Sequence, residues 1–308
     1  MLPFRSVTLE DRPLIEKYAR KYPTRFLNYS FEVIYLWKDA CEFMICEYEG
    51  FLLIKTFYYC NHNYFFPIGE GDIRDVVEKM IEYSERFKCP FSMLKVSQRQ
   101  RDILEAHFPG RFEFDEVRNE MEYMYLTDKL INLRGKHLQP KRNHINSFLK
   151  EQQWSLEEIT PTNMEELKIF NMEWESRLNP DEISRSMEIE KEAVANTLEH
   201  FSDLSLDGLL LRVDGKVEGF SIGCRTFSDT YLTLFERANG MIRGAYPFIN
   251  REFTKHFASG FEYVNRAEDC GDSGLRKAKL SYHPDMLDTL FWCHEEMIRT
   301  APTETFHD

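Results

Sequence analysis

The chain has 308 residues, enough for two compact units with separate cores, and its 43% hydrophobic and 30% charged residues exclude disorder as its organising state. A net charge of -13 excludes a surface that coats nucleic acid throughout, so DNA is not an expected partner. Seven cysteines (Cys41, Cys46, Cys60, Cys89, Cys224, Cys270, Cys293) are odd in number and lack CxxC spacing, which argues against a disulfide framework or a zinc site.

The first residues carry no secretory pattern, and no apolar run approaches the roughly 20 residues of a membrane span, so a reducing, cytoplasmic setting without a transmembrane segment is expected. Thr8 or Asp11 can cap a helix that begins near Pro13 and repeats Leu14, Ile15 and Tyr18, and a second amphipathic stretch covers Phe31 to Trp37. Glu42 to Glu47 and Phe51 to Phe57 read as a hairpin around Glu49-Gly50. Asn63 to Pro67 is strand-like, Gly69 to Asp72 a turn, Ile73 to Phe87 a helix, Phe91 to Val96 a strand, Gln98 to His107 a helix, and Glu120 to Leu126 a closing strand.

Residues 129 to 150 carry six cations and no acid, and Pro140 to Lys150 reads as a helix. Past this island the same order returns. Pro161 to Asn179 and Glu188 to Phe201 are helical, and Leu209 to Val213 with Val217 to Cys224 forms a hairpin around Asp214-Gly215, a type I′ pair. Tyr231 to Arg237 is a strand, Asn239 to Ala245 a loop, Tyr246 to Phe257 a helix and Phe261 to Asn265 a strand. The hairpin glycines Gly50 and Gly215 lie 165 residues apart and the loop glycines Gly71 and Gly240 lie 169 apart, which predicts a duplicated unit. The expected divisions are an N-terminal domain over 1–130, a basic connector over 131–150 and a C-terminal domain over 151–308.

Three segments concentrate chemistry. In the basic island, Arg134, Lys136, Lys141, Arg142 and Asn143 have the cations and amides that hold phosphates; the competing account is a solvated linker and exposed helix face. In Phe235 to Ala245, Arg237, Gly240, Arg243 and Gly244 lie between a strand and a helix, where backbone amides at a helix start bind phosphate; the competing account is a glycine that merely ends a strand. In Tyr263 to Pro284, Asn265, Arg266, Glu268, Asp269, Ser273, Arg276, Lys277, Lys279 and Tyr282 follow a strand around two glycines, as a site or as a solvent-facing helical turn. The nine histidines lack HExxH spacing, no metal ligand set is read, and Cys270 has no paired histidine to make it a nucleophile.

Leu133 to Lys136 with Lys141 to His144, the hairpin ending Gly219 to Gly223, the Arg237 to Gly244 loop, and the Tyr263 to Arg266 and Lys277 to Pro284 blocks together resemble the family defined by the C-terminal domain of phosphatidylglycerol lysyltransferases. That resemblance implies an α+β fold of two tandem GNAT-like (acyl-CoA N-acyltransferase-like) domains, each a mixed, mostly antiparallel sheet flanked by helices, related to Fem-type aminoacyltransferases. It implies an acyltransferase that moves an aminoacyl group from aminoacyl-tRNA, here to a soluble amine or hydroxyl of a small-molecule or peptide acceptor, without a covalent intermediate. Glu236, Glu268 or Asp269 would be the base. Arg134, Lys136, Lys141, Arg142, Asn143, Arg237, Gly240, Arg243 and Gly244 would hold the donor, and Asn265, Arg266, Ser273, Arg276, Lys277, Lys279 and Tyr282 the substrate. Two alternatives stand beside it: an acetyl-CoA-dependent N-acetyltransferase, whose Arg/Gln-x-x-Gly-x-Gly/Ala loop is met at Arg237 and Gly240 but not at Ile242, and a non-catalytic binder of an anionic ligand.

Overall fold

The computed structural model describes residues 1–58, 61–179 and 183–295, and Cys60 lies outside them. The strands in chain order are β1 (Arg5–Ser6), β2 (Met44–Tyr48), β3 (Phe51–Tyr58), β4 (Asn61–Tyr64), β5 (Ile68–Gly69), β6 (Ser92–Ser97), β7 (Phe112–Glu116), β8 (Met124–Leu126), β9 (Trp154–Glu158), β10 (Leu206–Val213), β11 (Lys216–Arg225), β12 (Thr230–Ala238), β13 (Tyr263–Asn265) and β14 (Leu290–Glu295). The helices are α1 (Arg12–Lys21), α2 (Phe31–Leu36), α3 (Ile73–Arg86), α4 (Gln98–His107), α5 (Thr127–Asn132), α6 (Gln139–Glu151), α7 (Met164–Ser176), α8 (Arg185–His200), α9 (Ala245–Phe253) and α10 (Ser273–Leu280).

Among the described residues the backbone divides into two units, one of residues 1–22, 33–121 and 288–295, the other of 23–32 and 122–287. The first holds an eight-stranded sheet ordered β1-β2-β3-β4-β6-β14-β7 with β5 beside β3, and the second a six-stranded sheet ordered β8-β13-β12-β11-β10-β9. Each is antiparallel apart from one parallel pair, β4 with β6 and β12 with β13. Both hairpin turns place two successive residues at positive φ, Glu49 and Gly50 at 44° and 83°, Asp214 and Gly215 at 51° and 80°, as type I′ geometry requires. The duplication is thus visible in topology. The second pair of anchors differs, because Gly71 has φ 154° while Gly240 is not among the positive-φ glycines.

One sequence expectation changes. Glu120 to Leu126 was expected to close the first half, yet β8 pairs with β13 of the second sheet. In return β14, which had no sequence reading, pairs with β6 and β7 of the first sheet. Each unit therefore completes its sheet with a strand from beyond the 1–130 and 151–308 boundaries. Hydrogen-bond pairing of three to five residues overrides the linear division.

In the first unit the core lies between the sheet and α3, whose start is fixed by Asp72 accepting from the amides of Arg74 and Asp75. Val76, Val77, Met80 and Ile81 bury one helical face there against Leu53, Tyr64 and Met93. In the second unit α6 and α9 cover the sheet, with Phe148 stacked on Phe248 at 4.7 Å and Ile145, Ile249 and Phe253 beside them. Each such fully buried side chain contributes about 1.5–3 kcal/mol. Among the described residues no helix is long and apolar enough to cross a membrane.

Candidate functional site

Strand β12 carries the centre of the site because alternate residues of a strand point to opposite faces. Glu236 points toward α9, where its Oε2 accepts from Asn250 Nδ2 at 2.8 Å and its Oε1 from Arg266 Nη2 at 2.9 Å. Arg237 points the other way. Its guanidinium donates to Asn171 and to Glu175 at 2.7 Å on α7 and to Glu190 at 3.2 Å on α8, and it stacks 4.4 Å from the Trp174 ring.

Around the Glu236–Arg266 pair, with both side chains 11% exposed, the second unit gathers cations and phenols. The Tyr282 ring lies 4.9 Å from the Arg266 guanidinium and 4.1 Å from Lys141 Nζ. Tyr125, 5.8 Å from that guanidinium, anchors the tail by donating to the Lys279 carbonyl at 2.8 Å. Burial disfavours the Arg266 charge, but the Glu236 carboxylate more than offsets this and holds its pKa above the usual arginine value. At Lys141 the attraction of Glu236 is too weak to do the same. Burial, then the nearby Arg266 charge, bring it down to about 8. Lys279 is likewise lowered to about 8 by burial and Arg266, while its ammonium donates to the carbonyls of Arg266, at 2.7 Å, and Glu268.

The connection from β13 to α10 is held by a different set of bonds. Asp269, fully buried, accepts from Tyr123 Oη at 2.5 Å, Gly271 N at 3.0 Å and Arg276 Nε and Nη2 at 2.9 and 2.8 Å. Burial opposes its charge, and these donors overcome it to leave a pKa of about 2. The tail is further fixed by non-glycine residues in left-handed backbone, Ala267 at φ 55° and Cys270 at φ 48°. Asn265 is also committed, donating to Glu122 and, at 2.9 Å, to the carbonyl of Arg25 while accepting from Ala267 N at 2.8 Å. Asp269 with Arg276 and Asn265 therefore brace the backbone that presents Arg266.

The basic island separates into parts with different surroundings. Lys141, in the first turn of α6, turns inward to Tyr282. Arg142 donates to the carbonyls of Leu133 and Gly135, the latter at 2.9 Å, and so caps the end of α5. Arg134, Lys136 and Asn143 are exposed, Arg134 with Asp128 at 3.6 Å and Asn143 accepting from Gln139 at 2.7 Å. Ser273 and Lys277 on α10 are exposed as well, and Glu268 is half-buried.

In the loop before α9, Gly240 and Arg243 are exposed, and a Cβ on Gly240 would meet nothing within 4 Å. Gly244 has φ 89°, and a Cβ there would lie 2.3 Å from the His144 carbonyl. It is the residue that lets α6 close on the start of α9. The expected phosphate grip of Arg237 and Gly244 is thus replaced by internal ion pairs and by helix packing.

Sequence reasoning missed Asn250, Ser221 and Tyr125. Ser221 pairs with Glu236 across the β11–β12 ladder, so its hydroxyl shares that face. The available signal was a single polar residue in the apolar stretch Phe220 to Ile222 for Ser221, and for Asn250 a polar residue directly following Phe248 and Ile249 on the apolar side of a helix. Among the described residues no group of three or more His, Cys, Asp or Glu is placed to hold a metal. A surface hollow of about 520 Å³, lined by Leu156, Glu158, Leu209, Glu252, Lys255 and His256, includes none of the expected site residues. What the Glu236–Arg266 cluster can do chemically is bind an oxyanion, orient a polar group at the carboxylate and stabilise charge developing on oxygen.

Among solved structures, a conserved protein of unknown function from Bacteroides thetaiotaomicron VPI-5482 is similar at 35% identity and TM-score 0.91, over 96% of this chain and 100% of that one. A tandem GNAT protein from the clavulanic acid biosynthesis pathway is similar at TM-score 0.51 and 9% identity, over 96% of this chain and 98% of that one, which shows the shared tandem fold. An uncharacterized protein, MYCGA3080, of Mycoplasmoides gallisepticum is 25% identical over 167 residues, covering 54% of this chain and about half, 53%, of that protein's length. The profile of the family described as "Phosphatidylglycerol lysyltransferase, C-terminal" matches residues 20–294, and the chain belongs to that family.

Proposed function

We propose that the protein is an aminoacyltransferase that passes an aminoacyl group from aminoacyl-tRNA to a soluble amine or hydroxyl acceptor, with the chemistry at the Glu236–Arg266 cluster. The observation that carries this reading is the juxtaposition of Glu236, Arg266, Lys141 and Tyr282 on the sheet face covered by α9. An aminoacyl ester is already activated, so the protein must supply positioning, a path for the acceptor's proton and stabilisation of the tetrahedral oxyanion. Arg266 and Lys141 supply positive charge for that oxyanion. Glu236 orients the acceptor's N–H or O–H. Asp269, with four donors on its two oxygens, has no acceptor position left for a proton and serves as a brace. Exposed Arg134, Lys136 and Lys277 are the surface cations assigned to tRNA phosphates.

Acetyl-CoA is the weaker donor here because Arg237, the first residue of the pyrophosphate loop pattern, is buried in ion pairs with Glu175 and Glu190 on the far sheet face. The test incubates the protein with a set of radiolabelled aminoacyl-tRNAs and, separately, acetyl-CoA, with mixed small amines as acceptors. Ester consumption that requires both protein and acceptor and is lost in Glu236→Gln supports the reading. Consumption of the thioester alone overturns the donor.

A further inference from the structure

The Glu236–Arg266 site contains more hydrogen-bonding capacity than the protein itself uses. Arg266 Nη1, Asn250 Oδ1 and Ser221 Oγ are buried and have no hydrogen-bond partner among the described residues. Asn250 is 1% exposed and Ser221 0%, so bulk water does not satisfy them. Each such orphan costs about 1–3 kcal/mol, and three around one carboxylate need an explanation in a native fold.

The unused groups fall into two chemical kinds. The Arg266 guanidinium, with Nη1 unused, and the Lys141 ammonium each lie against the Tyr282 ring, and no acid forms an ion pair with Lys141 among the described residues. They call for an oxyanion. Asn250 Oδ1 and Ser221 Oγ are acceptors beside Glu236, since Asn250 turns its amide nitrogen to that carboxylate and Ser221 lies across the ladder from it. They call for an N–H or O–H donor, and the Glu236 carboxylate beside them favours one that carries positive charge. A small molecule with a carboxylate and an ammonium about one carbon apart satisfies both ends at once.

We infer that the site takes its acceptor as a free α-amino acid, with the carboxylate on Arg266 and Lys141 and the amine beside Glu236, Asn250 and Ser221. This rests on the aminoacyl-transfer reading and narrows it. The donor's own aminoacyl ester has no free carboxylate, so a carboxylate held by Arg266 and Lys141 before the reaction belongs to the acceptor, and the charge of the same two cations still favours the tetrahedral oxyanion when it forms. In the transfer the acceptor ammonium first gives up one proton to solvent. Its nitrogen then bonds to the ester carbonyl carbon, the bond from that carbon to the ribose oxygen breaks, and the second nitrogen proton passes to that oxygen. The products are a dipeptide and a tRNA with a free terminal hydroxyl.

Binding and transfer are tested separately. Melting temperature is measured with each of L-lysine, L-alanine and L-glutamate, with their carboxamides, and with their N-acetyl derivatives. At least one free amino acid is expected to stabilise the protein, and neither capped form of it. Lys141→Met and Ser221→Ala are expected to melt no lower than the parent without ligand, since each removes a buried group that the fold leaves uncompensated, and to bind that amino acid about tenfold more weakly or worse. Equal stabilisation by a capped form overturns the inference, as does stabilisation by none of the three, which would leave the orphan atoms to buried water. Transfer of label from aminoacyl-tRNA to an acceptor lacking a carboxylate also overturns it while leaving the donor reading intact. Amino-acid binding without consumption of any charged tRNA has the opposite meaning: the pocket stands and the donor reading fails.

Discussion

Glu236 and Arg237 are neighbours on β12 that serve opposite faces of one sheet, Glu236 paired with Arg266 at 2.9 Å and Arg237 with Glu175 at 2.7 Å. The first pair lies beside Lys141, which has no ion-pair partner among the described residues, whereas the second is shared with acids from both α7 and α8. Arg237→Ala therefore removes a buried guanidinium that ties Asn171, the partly exposed Glu175 and the exposed Glu190 to β12, and is expected to cost about 1–3 kcal/mol of stability. Urea unfolding checks the loss, and tRNA binding by the folded fraction should be unchanged.

The two loop glycines should respond differently to alanine. Gly244→Ala combines a left-handed φ of 89° with a Cβ 2.3 Å from the His144 carbonyl, and a loss of about 2–4 kcal/mol is expected. Gly240→Ala meets open space and should fall within about 0.5 kcal/mol of the parent. Paired thermal melts compare them, and equal losses would contradict the packing account of Gly244.

Acid should act through Asp269. Its carboxyl is held at about 2 against an ordinary 3.8, so its stabilisation is fully present above 3.8 and is lost as pH falls through about 2. That interval corresponds to roughly 2 kcal/mol. Asp269→Asn should flatten the corresponding part of the stability curve between pH 4 and 2, as followed by denaturant titration.

The two lowered lysines carry the opposite sign. Lys141 and Lys279 sit at about 8 against an ordinary 10.5, so the folded state holds their protons less firmly than the unfolded chain. Their penalty is complete below about pH 8 and is relieved as pH rises from there toward 10.5. Groups facing Lys141 are Arg266, Glu236 and Tyr282, and on α9 Arg251 and Glu252 pair with each other. A proton titration of Lys141 by NMR should show a midpoint near 8, and a midpoint near 10.5 would contradict its burial beside Arg266.

Much of the order of elements was legible because its signals are local. Asp214-Gly215 dictates its own turn, Asp72 caps α3, and the apolar spacing through Ile81 gives the helix. The exchange of β8 and β14 was not legible, since three to six residues carry no record of the partner strand they pair with. At the site, charge clustering pointed to Lys141 and Arg266, but the direction of each side chain came from packing. Arg142 and Arg237 look like ligand groups in sequence and are internal caps and ion pairs in the fold. Ser221 and Asn250 look like strand and helix filler and are the unsatisfied groups of the site.

The most direct measurement is single-turnover transfer of a radiolabelled aminoacyl group from tRNA in the presence of free amino acids, comparing the parent with Glu236→Gln and Lys141→Met. The account predicts a labelled dipeptide from the parent, its loss in Glu236→Gln, and a higher requirement for the acceptor in Lys141→Met. No labelled product from any charged tRNA, with acetyl-CoA consumed by the same preparation, would contradict it.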